Sequence, residues 1–312
     1  MSKISFNKVR DFSALFSDAI AFLKQNFKSF FGTILLIAGP FLLVSGAAMG
    51  YLQSMASNTQ SLLRSASLFD YTTLLTALGI LLFSAFVGSM VLYCVVYNYM
   101  ILYNNKPEGE AITVSEVGKM VWQTIWRTMG SMLVITLVAG LGGIILTLVA
   151  IGIGSALGLA GTVLVGFCLV IALIIYGPVL GYAFQAMFFV VIRDDIFGVS
   201  AFGKVWNYMK GNFWWTWVIM VVGSFALYIV NLLFTLPATI YSLLGTFSRL
   251  DNSDYSGGSS GSTITLVVLY TIGMFFSYFT SSILLVISAF NFLSHEEAHE
   301  GKGLFSKIDE IK

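Results

Sequence analysis

The sequence predicts an all-α integral membrane protein with six transmembrane helices, and three observations carry that prediction. The chain of 312 residues is 57% hydrophobic and only 10% charged, whereas an average soluble domain is roughly 25% charged. Its charges are also segregated. No Asp, Glu, Lys or Arg occurs between Lys28 and Arg64, Asp70 and Lys106, Arg127 and Arg193, Lys210 and Arg249, or Asp254 and Glu296. Lastly, the positive charges fall almost entirely in alternate connecting segments, as they do in a chain oriented across a bilayer.

The charge-free windows give the spans in order. About 20 apolar residues cross the hydrocarbon, so four windows hold one span each. The window from Arg127 to Arg193 holds two, divided at GIGSALGLAG (152–161). Spans are expected near 31–50, 75–100, 130–152, 162–186, 215–238 and 264–291. The first begins only after Asp11 and Asp18 and is followed by no small-residue cleavage site, so it reads as a retained signal anchor. With both termini cytoplasmic, the inner segments carry fourteen Lys and Arg, while the outer loops carry only Arg64 and Arg249. Cys94 and Cys168 lie inside spans in no metal-like spacing and read as small hydrophobes.

A helical pattern precedes alternate spans. Phe202, Val205, Trp206, Met209, Phe213 and Trp217 occupy offsets 0, 3, 4, 7, 11 and 15, one apolar face of a helix. Phe16, Ala19, Ile20, Leu23, Phe27 and Phe31 repeat those offsets, and Val114, Val117, Gly118, Val121, Ile125 and Met129 do so more weakly. The chain therefore reads as one membrane domain, 1–312, of three parallel repeats at 12–103, 113–192 and 199–293, with a cytoplasmic tail at 294–312. Each repeat is a cytoplasmic amphipathic helix plus a transmembrane hairpin. The amphipathic helices either lie in the lipid interface or pack on the inner ends of the bundle. In the first arrangement Lys24, Lys28, Arg127 and Lys210, with Trp122, Trp126, Trp206, Trp214 and Trp215, make the lipid-interface or partner contacts. The outer segment 52–71 has room for a short surface helix, and DNSDYSGGSSGS (251–262) reads as a flexible linker.

Candidate sites are few. HEEAH, His295 to His299, fits the H-E-x-x-H pattern that sets two imidazoles on one helix face to hold zinc, with Glu296 as general base. Against that reading, a third ligand has only Glu300, Asp309 and Glu310 to come from, and the favoured reading is a solvated helix end with no metal. The spans hold no ionisable residue, which argues against a proton-coupled pump or a carrier of charged substrates. Their amides Asn98, Gln185, Asn231 and Asn291 are expected to bond neighbouring helices. Gly46/Gly50, Gly154/Gly158 and Gly177/Gly181 are small-xxx-small pairs for close helix approach. Pro40, Pro178 and Pro237 would bend spans and free backbone carbonyls.

FSALFSDAIAFLKQNFKSFFGTILLIAGP (12–40), GVSAFGKVWNYMKGNFWWTW (198–217) and NFLSHEEAHEGKGLFSKIDEI (291–311) resemble bacterial multispanning proteins related to the membrane domain attached to some glycerophosphodiester phosphodiesterases. These residues contain no phosphodiesterase catalytic domain, so the resemblance does not imply that activity. It implies a bacterial cytoplasmic-membrane protein in an accessory role. The expected function is thus non-enzymatic: a polytopic scaffold or accessory subunit of a membrane assembly. Its expected partners are membrane lipid and another membrane protein, with no cofactor and no nucleic acid. A carrier or binder of a neutral or lipid-like substrate is the alternative, and a zinc-dependent hydrolase built on HEEAH is a remote one.

Overall fold

A computed structural model describes residues 3–56, 68–251 and 260–301. The expectations for the outer segment around 57–67, the linker 252–259 and the tail from 302 onward therefore lie outside the described residues. Among the described residues every regular element is helical. Helix α1 (Phe12–Ile37) is started by Asp11, whose carboxylate accepts from the Ala14 N–H at 2.7 Å. The chain then bends by 62° at Ala38 into α2 (Gly39–Ala56). Pro40 has no N–H to give to a continuing helix and disfavours helical geometry at Gly39, so the bend falls where the sequence puts a proline.

After α3 (Leu68–Asn105), a capping box starts α4 (Val114–Ala156). Thr113 Oγ1 accepts from the Glu116 N–H, and the Glu116 carboxylate accepts from the Thr113 N–H at 2.9 Å. Only Leu157 separates α4 from α5 (Gly158–Asp194), and Gly158 takes the positive φ of 71° that this reversal requires. A short amphipathic α6 (Gly198–Met209) passes through a 3₁₀ turn at Lys210–Asn212 into α7 (Phe213–Asp251), and α8 (Ser260–Glu300) follows. Five stretches are long and apolar enough to cross a membrane, and the bent α1–α2 pair makes a sixth. The chain is an all-helical, multi-pass membrane protein.

Helix lengths show how the molecule is divided. The 43 residues of α4 rise about 64 Å, twice the ~30 Å of the hydrocarbon core. The surplus forms a compact bundle at one end, made from the terminal halves of α3, α5 and α8, the first half of α4, and α1 and α6. The buried core lies there. Phe22 is its hub: fully buried, it sets its ring against Tyr103, Phe30, Phe290 and Tyr99 at 5.0 to 6.2 Å. Burial of that one side chain is worth about 1.5–3 kcal/mol.

At the other end α2, α3, α7 and α8 stay together, with Gln53 of α2 donating to Ser242 of α7 at 3.3 Å. There α2 packs on α8 through Gly46 and Gly50, where an added Cβ would lie 2.7 Å from Thr271 Cα and 2.5 Å from Val267 Cα. The α4–α5 hairpin leaves this company altogether. Its most apolar stretches are only 6% buried, against 44% for those of α3 and α8.

Two expectations need correction. The buried face of α1 is Leu15, Ala19, Phe22, Leu23, Phe30 and Ile34, so Ala19 and Leu23 of the expected face are buried while Ile20 and Phe27 are exposed. Phenylalanine recurs all round this helix, so two faces compete, and the chosen one is where Tyr99, Tyr103 and Phe290 supply ring partners. The Gly177/Gly181 pair meets no helix: nothing lies within 4 Å of a Cβ at Gly181, and only Leu173 of the same helix does at Gly177. Gly154 and Gly158 are likewise part of the α4–α5 turn, Gly154 facing Thr162 across it. As for the amphipathic segments, α1 and α6 bury their apolar faces in the bundle, and the middle one is the uninterrupted first half of α4.

Candidate functional site

The charged residues gather at the compact end, where they tie helices together. Arg193, at the end of α5, donates two hydrogen bonds to Glu296 of α8, both 2.6 Å, and two to Asp194 at 2.6 and 3.1 Å. This fork-on-carboxylate geometry is the strong form of an ion pair. Its guanidinium also lies over the Phe189 and Phe292 rings at 5.2 and 5.4 Å. Lys204 of α6 completes the cluster, 2.7 Å from Asp194 and 3.4 Å from Glu296. Three helices thus share two cations and two carboxylates. One turn on, Tyr208 of α6 donates to Glu300 and stacks on His299.

The same end holds a buried cation. Arg10 is 3% exposed and donates to Asp18 at 2.9 Å and to the carbonyls of Phe6, Lys8 and Ser5. Burial draws its guanidinium below the usual arginine range, opposed by the hydrogen bond and charge of Asp18. Its backbone N–H reaches Ser294 Oγ at 2.8 Å, so the N-terminal segment is fastened to α8. Lys106, between α3 and α4, bridges Glu110 and Glu116, and its ammonium is held above the ordinary lysine range first by the Glu116 hydrogen bond. Arg127 of α4 pairs with Asp195, which sits in left-handed conformation after α5.

HEEAH lies inside this arrangement, and its donors diverge. His295 is buried, with Nε2 3.1 Å from Thr216 Oγ1 and Nδ1 3.4 Å from Asn212 Nδ2, both from the α7 side. Glu296 is turned to Arg193 and Lys204, and exposed His299 to Tyr208. Among the described residues no three His, Cys, Asp or Glu side chains are placed to hold a metal ion together. What this geometry offers chemically is a counter-ion and a buried hydrogen-bonding imidazole, both used for holding α8.

The other nominated residues separate into exposed and engaged groups. Lys24, Lys28, Trp122, Trp126, Lys210, Trp214 and Trp215 are exposed, with Trp122 and Trp126 edge to face on α4. Trp206 is instead half-buried and stacked on Phe202, and Arg127 is occupied by Asp195. Of the amides, Asn98 donates to Thr124 Oγ1 of α4, Gln185 accepts from Ser288 of α8, and Asn231 accepts from Ser277 of α8. Asn291 is fully buried with no well-aligned bond, facing the Tyr182 hydroxyl. Sequence reasoning missed Arg10, Arg193, Asp194 and Tyr208. The available signal was the run RDD at 193–195 beside the acidic end of α8.

One carbonyl freed by proline has a partner. Pro178 gives no N–H to Ile174, four residues earlier, and the Trp217 indole of α7 donates to that oxygen at 3.1 Å. No protein-family model, curated protein or solved structure matches the chain.

Proposed function

We propose that the chain is a non-enzymatic subunit or scaffold of a membrane assembly, placed in the bacterial cytoplasmic membrane with both termini in the cytoplasm. The observation that carries this reading is the α4–α5 hairpin. Leu137, Leu141 and Leu148 on α4, and Leu159, Phe167 and Leu173 on α5, are each more than 60% exposed. A hairpin projected from a tightly packed base, touching nothing but itself along most of its length, suits a part that meets another membrane protein. The ion pairs of the compact end support the same reading, since they hold helices in place and, among the described residues, leave no convergent set of catalytic groups. Fourteen to two is too uneven for chance: the inner segments carry fourteen Lys and Arg and the outer loops two, and the positive-inside rule makes the inner side cytoplasmic. The three helix-plus-hairpin units, 12–103, 113–192 and 199–293, are read as parallel repeats in which the join between helix and span has diverged.

The test is photo-crosslinking in native membranes from residues 141 and 164 on the hairpin. The expected result is a discrete protein adduct from both sites and none from residue 268 on α8. Adducts with lipid alone, together with a monomeric mass after extraction in native nanodiscs, would overturn the proposal.

The alternative, a binder of a lipid-like molecule, has one observation in its favour: an apolar groove between α1 and α8.

A further inference from the structure

The groove lies just before the α1–α2 bend. It has a volume of about 430 Å³ and is lined by Phe27, Lys28, Phe31 and Gly32 on α1, and by Phe279 and Ile283 among others on α8. Its floor is built: the Phe31 and Phe279 rings are parallel to within 14° at 5.3 Å. Gly32 keeps it open, with no atom within 4 Å of the place a Cβ would take. The volume falls in the range of small-molecule sites, about 300–1,000 Å³.

One end of the groove is polar and the other is not. Lys28 stands at the rim, with Lys24 one turn before it, and both are exposed. Arg10, Lys106, Arg127, Arg193 and Lys204 each pair with a carboxylate, but no carboxylate among the described residues pairs with Lys24 or Lys28. Seven residues further along α1, about 10 Å, exposed Leu35 and Leu36 continue the apolar surface. The level in the bilayer also fits. The 18 residues of α2 rise about 27 Å, close to the hydrocarbon thickness, which sets the bend and the groove at its charged-end boundary.

We propose that this groove binds one anionic phospholipid, with an acyl chain on the Phe31–Phe279 floor and the headgroup phosphate on the Lys28 ammonium. An amphiphile matches a site that runs from unpaired ammonium to bare aromatic surface within one or two helical turns, and the uncompensated charge selects an anionic headgroup. The inference rests on membrane residence and not on a protein partner, since the hairpin and the groove share no residue.

The test uses the full chain in mild detergent, titrated with phosphatidylglycerol or phosphatidylcholine and read by native mass spectrometry. Wild type is expected to retain one phosphatidylglycerol preferentially. Gly32→Leu sets its Cβ in open space and carries its branch into the groove, and is expected to remove the bound lipid while leaving the thermal midpoint unchanged. Lys28→Gln is expected to weaken phosphatidylglycerol about fivefold and phosphatidylcholine hardly at all. Lys119→Gln, on the exposed side of α4, serves as the control. Equal retention by wild type, Gly32→Leu and Lys28→Gln would overturn the proposal. So would a dimer mass abolished by Gly32→Leu, which would assign the groove to a second copy. Neither result bears on crosslinking from the hairpin, so failure of this site and failure of the assembly reading are distinguishable.

Discussion

Replacing Glu296 by Gln separates the two meanings of HEEAH. In the structure Glu296 is a counter-ion: its side chain is 6% exposed, Arg193 bonds both of its oxygens, and Lys204 lies 3.4 Å away. Gln keeps the shape, but it removes the negative charge and turns an amide donor toward a guanidinium that can only donate. Breaking a buried pair from one side costs about 3–5 kcal/mol, and the 21% exposure of the Arg193 side chain sets the expectation near the lower value, about 3 kcal/mol. Arg193→Met should cost a similar amount. The double variant Arg193→Met, Glu296→Gln should recover most of the loss, because neither charge is then stranded. The assay is a double-mutant cycle on unfolding in detergent, with Asp194 and Lys204 left intact. Additive single losses with no recovery, or a Glu296→Gln protein as stable as wild type, would refute the assignment of Glu296 to a structural role.

Three further predictions follow from particular contacts. Trp217→Phe should destabilise by about 1–2 kcal/mol by leaving the Ile174 carbonyl unpaired, and Pro178→Ala should remove that penalty by supplying a backbone N–H; a penalty that survives Pro178→Ala would break the link. Gly50→Ala should cost about 1–3 kcal/mol because its Cβ meets the Val267 backbone, whereas Gly140→Ala, with open space around it, should not lower the thermal midpoint; equal effects would contradict the packing described. A spin label directed at the native cysteines should attach to exposed Cys168 and not to buried Cys94. The label should collide with oxygen far more than with a water-soluble nickel chelate, and the reverse accessibility would take α5 out of the hydrocarbon.

Much of the fold could be read from residues close in sequence. The charge-free windows mark the spans, GIGSALGLAG brackets the Leu157 reversal, Pro40 marks the bend, and Gly46/Gly50 do admit a neighbouring helix. The site was less legible because its partners are distant along the chain. Arg193 and Glu296 are 103 residues apart, and Trp217 meets a carbonyl 43 residues before it. Local patterning showed that Pro178 frees an oxygen but gave no sign of which donor answers it. Nor does local patterning reveal that Lys204 of α6 meets Asp194 and Glu296 at the ends of α5 and α8. On α1, an excess of phenylalanine defeated periodicity, since only ring partners on α3 and α8 decide between Phe22 and Phe27.

The one-residue reversal at Leu157 has a consequence for biogenesis. A linker of that length carries no polar loop to the far side, so α4 and α5 have nothing hydrophilic to push through the bilayer. The pair can enter the lipid as a single wedge, driven by its own oiliness, before Arg127 and Asp195 close the gap at its base.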